Sequence, residues 1–238
     1  MIAYCQSYGT AYNPSNPLLT IAQLQATYAA AQSAINDFKT QKTSFDTAVN
    51  LRREAFEDIK PLSTRIVNAV IASGASKLKI DDIKGVNKKV QGIRSKKPTT
   101  MTTDTNESND NSDTNEISTP RTISTAQQSY DRLKDHLANM VAILQQTPQY
   151  NPNENDLQIP QLQARLTALE TSKTVWINTH TTYSNAIRDR NNLLYHPETG
   201  LTAISQKVKV YVKSIYGGRS HQYKQVRMLA FKSQKIEL

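Results

Sequence analysis

Apolar side chains recur at alternating steps of four and three residues along two long stretches of the chain. The first row consists of Leu24, Tyr28, Ala31, Ile35, Phe38, Lys42, Phe45, Val49, Arg52, Phe56 and Ile59. The second row consists of Leu162, Leu166, Leu169, Lys173, Trp176, His180, Tyr183, Ile187, Arg190 and Leu194. This heptad spacing is typical of helices that pack lengthwise against each other. Each stretch therefore predicts one helix of roughly 35–40 residues, about 55 Å long at about 1.5 Å per residue.

Local signals predict where the two long helices begin and end. Thr20 followed by Gln23 predicts a capping box at the start of the first helix. Pro160 lies in the first turn of the second helix, where its missing N–H costs little. Pro61 and Pro197 are predicted to end the two helices at nearly matching places.

The two stretches are also similar in sequence. Residues 12–59 and 150–197 align without a gap and share 13 identical positions of 48, and both begin with Tyr-Asn-Pro. Bulky residues replace bulky residues in the rows: Trp176 stands for Phe38 and Tyr183 for Phe45. We therefore predict an internal duplication whose two copies pack about a pseudo-twofold axis and bury a face that neither copy could bury alone.

A shorter amphipathic segment follows each long helix. In the second copy, the stretch 207–213 (KVKVYVK) alternates strictly and would also suit a half-buried strand. Its counterpart RIVNAVIAS does not alternate, and two copies of a repeat keep one secondary structure, so a helix is the better prediction. Each copy then has a turn, at 73–76 and 216–220, and a third, basic segment.

These patterns predict an all-α fold: an internally duplicated helical bundle with two long heptad-patterned helices and pseudo-twofold symmetry. Repeat one spans 1–97, with a long, a short and a basic helix, and repeat two spans 149–238. Between them, 98–123 is predicted to be a disordered acidic linker, because 99–120 holds five acids and no base. Residues 124–148 are predicted to form a connecting helix capped by Ser124 or Thr125 and ended by Pro148.

The Tyr-Asn-Pro openings, the arginine late in each long helix and the text SHQYKQV at 220–226 resemble a family of proteins. These are functionally unassigned two-repeat helical proteins of Bacteroidota, and the resemblance spans most of the chain. It implies the duplicated helical fold, and it implies no activity.

Composition excludes several classes of site. Cys5 is the only cysteine, so an intrachain disulfide and a cysteine-based zinc site are ruled out. The four histidines have no metal-ligand spacing, and YGGRS lacks the Gly-Lys-Ser/Thr of a phosphate loop. We therefore expect no catalytic residue, no cofactor and no metal, and not an enzyme. No apolar run reaches 18 residues and no signal peptide is recognisable, so we expect no membrane span and a cytoplasmic location.

Positive charge is concentrated in the third segment of each copy. Residues 77–97 hold eight Lys or Arg and two Asp, and residues 207–235 hold eight and no acid. Such clusters bind nucleic acid phosphates, lipid headgroups or an acidic protein, or they are solvated surface. The candidate anion or nucleic-acid contacts are Lys77, Lys79, Lys84, Lys88, Lys89, Arg94, Lys207, Lys209, Lys213, Arg219, Lys224 and Arg227.

Arg52 and Arg190 occupy equivalent positions in the two rows, among apolar neighbours. One interpretation is a paired anion site at the pseudo-twofold centre. The other is that each arginine extends to solvent or pairs with a carboxylate close in sequence: Glu54, Glu57, Asp58 or Asp189.

The sequence therefore favours a non-enzymatic structural or protein-interaction protein that self-assembles or binds another protein through its helical faces. The alternative is a non-sequence-specific nucleic-acid-binding protein that uses the basic segments 77–97 and 207–235.

Overall fold

The computed structural model of the chain describes residues 1–93 and 128–232, and these residues form helices, turns and loops without a strand. The all-α prediction is confirmed. The α-helices are α1 (Ile2–Ser7), α2 (Ile21–Glu57), α3 (Ile59–Ala72), α4 (Lys77–Gln91), α5 (Tyr130–Gln145), α6 (Ile159–Tyr195), α7 (Leu201–Tyr216) and α8 (His221–Arg227). Short 3₁₀ turns occupy Gly9–Ala11, Pro17–Leu19 and Asn155–Leu157. The predicted linker 98–123 and Arg94 lie outside the described residues.

The two long helices each contain 37 residues. Neither helix contains glycine, and α6 has its only proline, Pro160, at its second position. The Oγ1 atom of Thr20 accepts a hydrogen bond from the backbone N–H of Gln23 at 3.4 Å, which is one half of the predicted capping box.

Two local predictions were wrong. Pro61 does not end the first long helix: α2 ends at Glu57, and Pro61 lies in the first turn of α3, where a proline needs no hydrogen-bond partner. The connecting helix begins at Tyr130, and its N-cap is Ser129, whose Oγ accepts from the N–H of Arg132 at 3.3 Å. The end of α5 agrees with the prediction, because Pro148 lies two residues after the C-cap Gln146, where proline is common.

The stretch 207–213 is helical, as predicted, and lies inside α7. Val208 and Val212 of this stretch are fully buried, whereas Val210 is exposed. Burial thus follows the step of four of a helix and not the alternation of a strand.

The chain divides into two compact units. Unit 1 consists of Met1–Asn50 and Thr174–Leu238, and unit 2 consists of Leu51–Lys173. Each unit therefore combines the beginning of one long helix with the end of the other. The predicted boundaries 1–97 and 149–238 follow the sequence repeat instead of these units, and they stay a prediction.

The core of unit 2 is formed by α3, α4, α5 and the start of α6. Its fully buried side chains are Ile59, Ile66, Val70, Ile83, Val90, Leu137, Met140, Leu144, Leu162 and Leu169. Ser63 is also fully buried there; its hydroxyl donates to the Lys60 carbonyl at 2.8 Å and lies 2.8 Å from Oδ1 of Asn87. The buried hydroxyl is thus satisfied by hydrogen bonds to α3 and α4.

The core of unit 1 is smaller and joins the N-terminal segment to α7 and α8. Its buried members are Cys5, Tyr12, Leu19, Leu24, Ile204, Val208, Val212 and Val226. The Tyr8 hydroxyl donates to the backbone carbonyl of Gln222 at 3.0 Å, and the Tyr8 ring packs edge-on against Tyr216. The N-terminal tyrosines are therefore part of this core.

The two Tyr-Asn-Pro segments make the same local hydrogen bond. The Tyr12 hydroxyl donates to the Leu19 carbonyl at 2.8 Å in unit 1. The Tyr150 hydroxyl donates to the Leu157 carbonyl at 2.7 Å in unit 2. In each unit a buried tyrosine thus fixes the turn that leads into a long helix.

Candidate functional site

The described part of the first basic segment consists mainly of α4 in unit 2. Ser76 caps its start, and Gly92 ends it with a φ of +74°, a left-handed conformation that glycine adopts without strain. Ile83 and Val90 are buried, so the lysines lie on the remaining faces. Lys77, Lys84, Lys88 and Lys89 are exposed, and half-buried Lys79 donates to Gln146 at 3.4 Å.

The second basic segment extends over α7 and α8 in unit 1, and three of its lysines make contacts there. Lys207 donates to the Glu198 carbonyl at 3.0 Å. Lys209 donates to the Leu229 carbonyl at 2.5 Å, and the Lys213 ammonium lies 5.8 Å from the ring centroid of Tyr223. The exposed cations Arg219, Lys224 and Arg227 complete the set.

Within residues 1–93 and 128–232, none of the predicted basic contacts forms an ion pair with a carboxylate. The ion pairs of these residues use other cations: Lys42, Arg52, Arg65, Arg132, Lys134, Arg165 and Lys173. The two basic surfaces therefore keep their positive charge, one in each unit.

Arg52 pairs with α5 of unit 2. The Arg52 side chain is 12% exposed, and its guanidinium lies 3.7 Å from Oδ1 of Asp131 and 4.9 Å from the ring centroid of Tyr130. This carboxylate comes from another helix, and the sequence analysis did not name it as a partner.

Arg190 has different surroundings in unit 1. Its guanidinium lies 4.1 Å from the ring centroid of Phe38, and its Nε and Nη2 donate to Oδ1 of Asn191 at 3.1 and 2.7 Å. Arg52 and Arg190 thus belong to different units, and the paired anion site stays a prediction.

Two ion pairs that the sequence did not predict hold α5 against α6. Lys173 lies 3.1 Å from Asp131, and Lys134 lies 2.5 Å from Glu170. The hydrogen bond from Lys134 lowers the pKa of the Glu170 carboxyl. The only signal in the sequence was Lys173 itself, a charged residue in an otherwise largely apolar row.

Unit 2 also contains an open groove of about 540 Å³ between α3 and the Tyr-Asn-Pro loop. Arg65 pairs with both carboxylate oxygens of Asp156 beside it, and this hydrogen bonding lowers the pKa of Asp156. Burial raises the pKa of Tyr150 to about 12. The other lining residues are mainly polar: Asn68, Ala69, Ala72, Ser73, Gln149, Asn151, Pro152, Asn153, Glu154 and Leu157.

The groove offers hydrogen-bonding groups without an evident reactive one. Its serine hydroxyl, Ser73, donates to the Val70 carbonyl at 2.9 Å, so it is already bonded to the backbone of its own helix. The groove was not predicted, because its lining comes from the end of α3 and a loop about 80 residues later in the chain.

The described part of the chain shows no group of three or more His, Cys, Asp or Glu side chains arranged to hold a metal ion. None of the described helices combines the length and the apolar character needed to cross a membrane.

Comparison with known proteins gives no match: no family model, no curated protein and no solved structure is significantly similar to the chain. The resemblance to two-repeat proteins of Bacteroidota therefore stays a prediction.

Proposed function

We propose that the protein is a non-enzymatic structural or interaction protein that assembles with copies of itself through its helical faces. The observation that carries this proposal is the exposure of the long helices within unit 1. No side chain between Gln32 and Thr47 of α2 is buried, and none between Thr174 and Asn185 of α6. An amphipathic helix normally gains its stability from a buried face, so these helix faces suit further helical partners.

Aromatic side chains form the contact between α2 and α6 in this region. The rings of Phe45 and Tyr183 stack with centroids 5.5 Å apart, and the Trp176 ring stacks on His180 at 5.7 Å. All four rings remain partly accessible, with His180 exposed. Partly exposed aromatic side chains are enriched where proteins bind each other.

The finer architecture, a duplicated bundle with pseudo-twofold symmetry and heptad packing, belongs to the same proposal. The matching tyrosine hydrogen bonds support it. A buried serine on the short helix of each unit supports it too: Ser63 on α3 and Ser205 on α7. Serine N-caps begin both third segments, Ser76 before α4 and Ser220 before α8.

Light scattering coupled to size-exclusion chromatography tests the proposal. Because the chain has a mass of 26.7 kDa, a self-assembling protein gives a multiple of that mass, and the mass falls on dilution. If the mass stays at 26.7 kDa when the loading concentration is raised about a hundredfold, self-assembly is overturned.

A second candidate, non-sequence-specific nucleic-acid binding, is favoured by the two basic surfaces, because their cations within 1–93 and 128–232 form no ion pair with a carboxylate. The same chromatography distinguishes it when absorbance is read at 260 and 280 nm on protein purified without nuclease. A high ratio that falls as salt rises indicates bound nucleic acid, because phosphate contacts weaken with salt. A 260/280 nm absorbance ratio typical of protein alone at low salt contradicts nucleic-acid binding.

A further inference from the structure

In unit 2 a third helix, α5, packs across the two long helices. Asp131 of α5 reaches Arg52 of α2 at 3.7 Å and Lys173 of α6 at 3.1 Å. Tyr130 packs on Phe56, with ring centroids 4.6 Å apart. The helix α5 therefore lies across both long helices, directly before the second Tyr-Asn-Pro segment.

The corresponding place in unit 1 lacks such a helix among the described residues. In the gap-free alignment Tyr28 corresponds to Leu166, which packs against the core of unit 2. The Tyr28 side chain, in contrast, is 53% exposed.

We call the surface formed by Tyr28, Gln32 and Ile35 the open face. Its residues differ in charge from their counterparts in unit 2. Gln32 stands where Glu170 pairs with Lys134, and Ile35 stands where Lys173 pairs with Asp131. The occupant of the open face therefore needs apolar contacts and no charge of its own.

The open face lies in a part of the chain that is free of charge. The first 36 residues contain no Asp, Glu, Lys, Arg or His, although 21% of the whole chain is Asp, Glu, Lys or Arg. A chain with a net charge of +9 repels its own copies through most of its surface, and a charge-free face is the exception.

We propose that the open face binds the same face of a second copy, so that two α2 helices pack against each other about a twofold axis. Each copy supplies Tyr28 and Ile35 at the spacing of a heptad row, and a twofold contact needs such a self-complementary face. This inference rests on the proposed self-assembly and assigns it a surface.

Two matched substitutions test the assignment. Tyr28→Glu places a carboxylate on the open face, where the two copies would bring like charges together, and we expect the dissociation constant to rise at least tenfold. Ala26→Glu is the control: this residue is also exposed on α2, about 160° around the helix from Tyr28 at about 100° per residue. It should leave the dissociation constant unchanged.

Sedimentation velocity over a hundredfold concentration range measures the association of each variant, and circular dichroism verifies that the helix content is intact. If Tyr28→Glu lowers the helix content, Ile35→Lys is the second variant, with the same expected loss of association. It introduces the residue that stands at the corresponding position 173. If the parent associates and the Tyr28→Glu and Ile35→Lys variants associate equally well, the open face is not the interface, although the protein does self-assemble. A monomeric parent would overturn both, and would mean that another protein or another segment covers the face.

Discussion

At the scale of single residues, the most informative side chains are the two buried tyrosines that precede the long helices. Each hydroxyl satisfies one backbone carbonyl at the turn into a helix, that of Leu19 for Tyr12 and that of Leu157 for Tyr150. Burial raises the pKa of both phenols, because the charged form is poorly solvated inside the protein. Both units therefore depend on a neutral tyrosine at the same structural position.

Tyr150→Phe should destabilise unit 2 by about 1–2 kcal/mol at pH 8, because the Leu157 carbonyl loses its donor. The effect should shrink at high pH. The Tyr150 pKa is about 12 in the folded protein and 10.0 in its reference state. The contribution of the neutral phenol to the unfolding free energy is therefore complete below pH 10 and is lost as the pH rises towards 12. At pH 11 the difference between parent and variant should be smaller by about 1.4 kcal/mol.

Urea denaturation at pH 8 and pH 11, followed by circular dichroism, measures both effects. Tyr130→Phe is the control in the same unit, since the Tyr130 side chain is 36% exposed and the loss of its hydroxyl should change the unfolding free energy little. An equal destabilisation by Tyr150→Phe at both pH values would contradict the buried neutral phenol.

At the scale of elements, the apolar rows predicted the long helices well, because a heptad pattern over ten positions fits no other secondary structure. The ends were harder to predict. The sequence predicts a helix end at Pro61, but proline is also common in the first turn of a helix, which is where Pro61 lies in α3. No glycine or proline marks the break at Asp58. Arg52 and Lys173 contact Asp131 because α5 packs on the two long helices. The periodicity of the apolar rows does not predict which helix packs there.

Two glycines at helical elements should respond to alanine in opposite directions. A Cβ atom at Gly200, which precedes α7, would lie 2.5 Å from the His196 nitrogen and 2.7 Å from its carbonyl oxygen, so the backbone must move. We expect Gly200→Ala to lower the unfolding free energy by about 1–3 kcal/mol. Gly85, inside α4, has open space around its Cα, and Gly85→Ala should raise stability by about 0.5–1 kcal/mol.

Thermal unfolding of the two variants beside the parent checks this pair. Equal melting temperatures for Gly200→Ala and the parent would show that the turn 196–200 relaxes without cost. A lower melting temperature for Gly85→Ala would mean that this face of α4 is not open.

At the scale of the whole molecule, the two compact units do not follow the boundaries of the predicted repeats. The core of unit 2 combines Ile66 and Ile83 from before the linker with Leu137 and Met140 from after it. The core of unit 1 likewise combines Leu24 with Val208. The similarity between 12–59 and 150–197 predicts two copies, but it does not predict which helices share a core, because the two stretches offer similar apolar rows.

This arrangement predicts how the chain behaves when it is divided. The fragments 1–97 and 124–238 correspond to repeat one and to the connecting helix with repeat two. Since the core of each unit needs side chains from both fragments, neither fragment alone should show a cooperative thermal transition, and an equimolar mixture should form a 1:1 complex that does. Circular dichroism melts and light scattering of each fragment and of the mixture measure this. Two fragments that unfold cooperatively on their own and do not associate would favour the repeat boundaries as the true folding units.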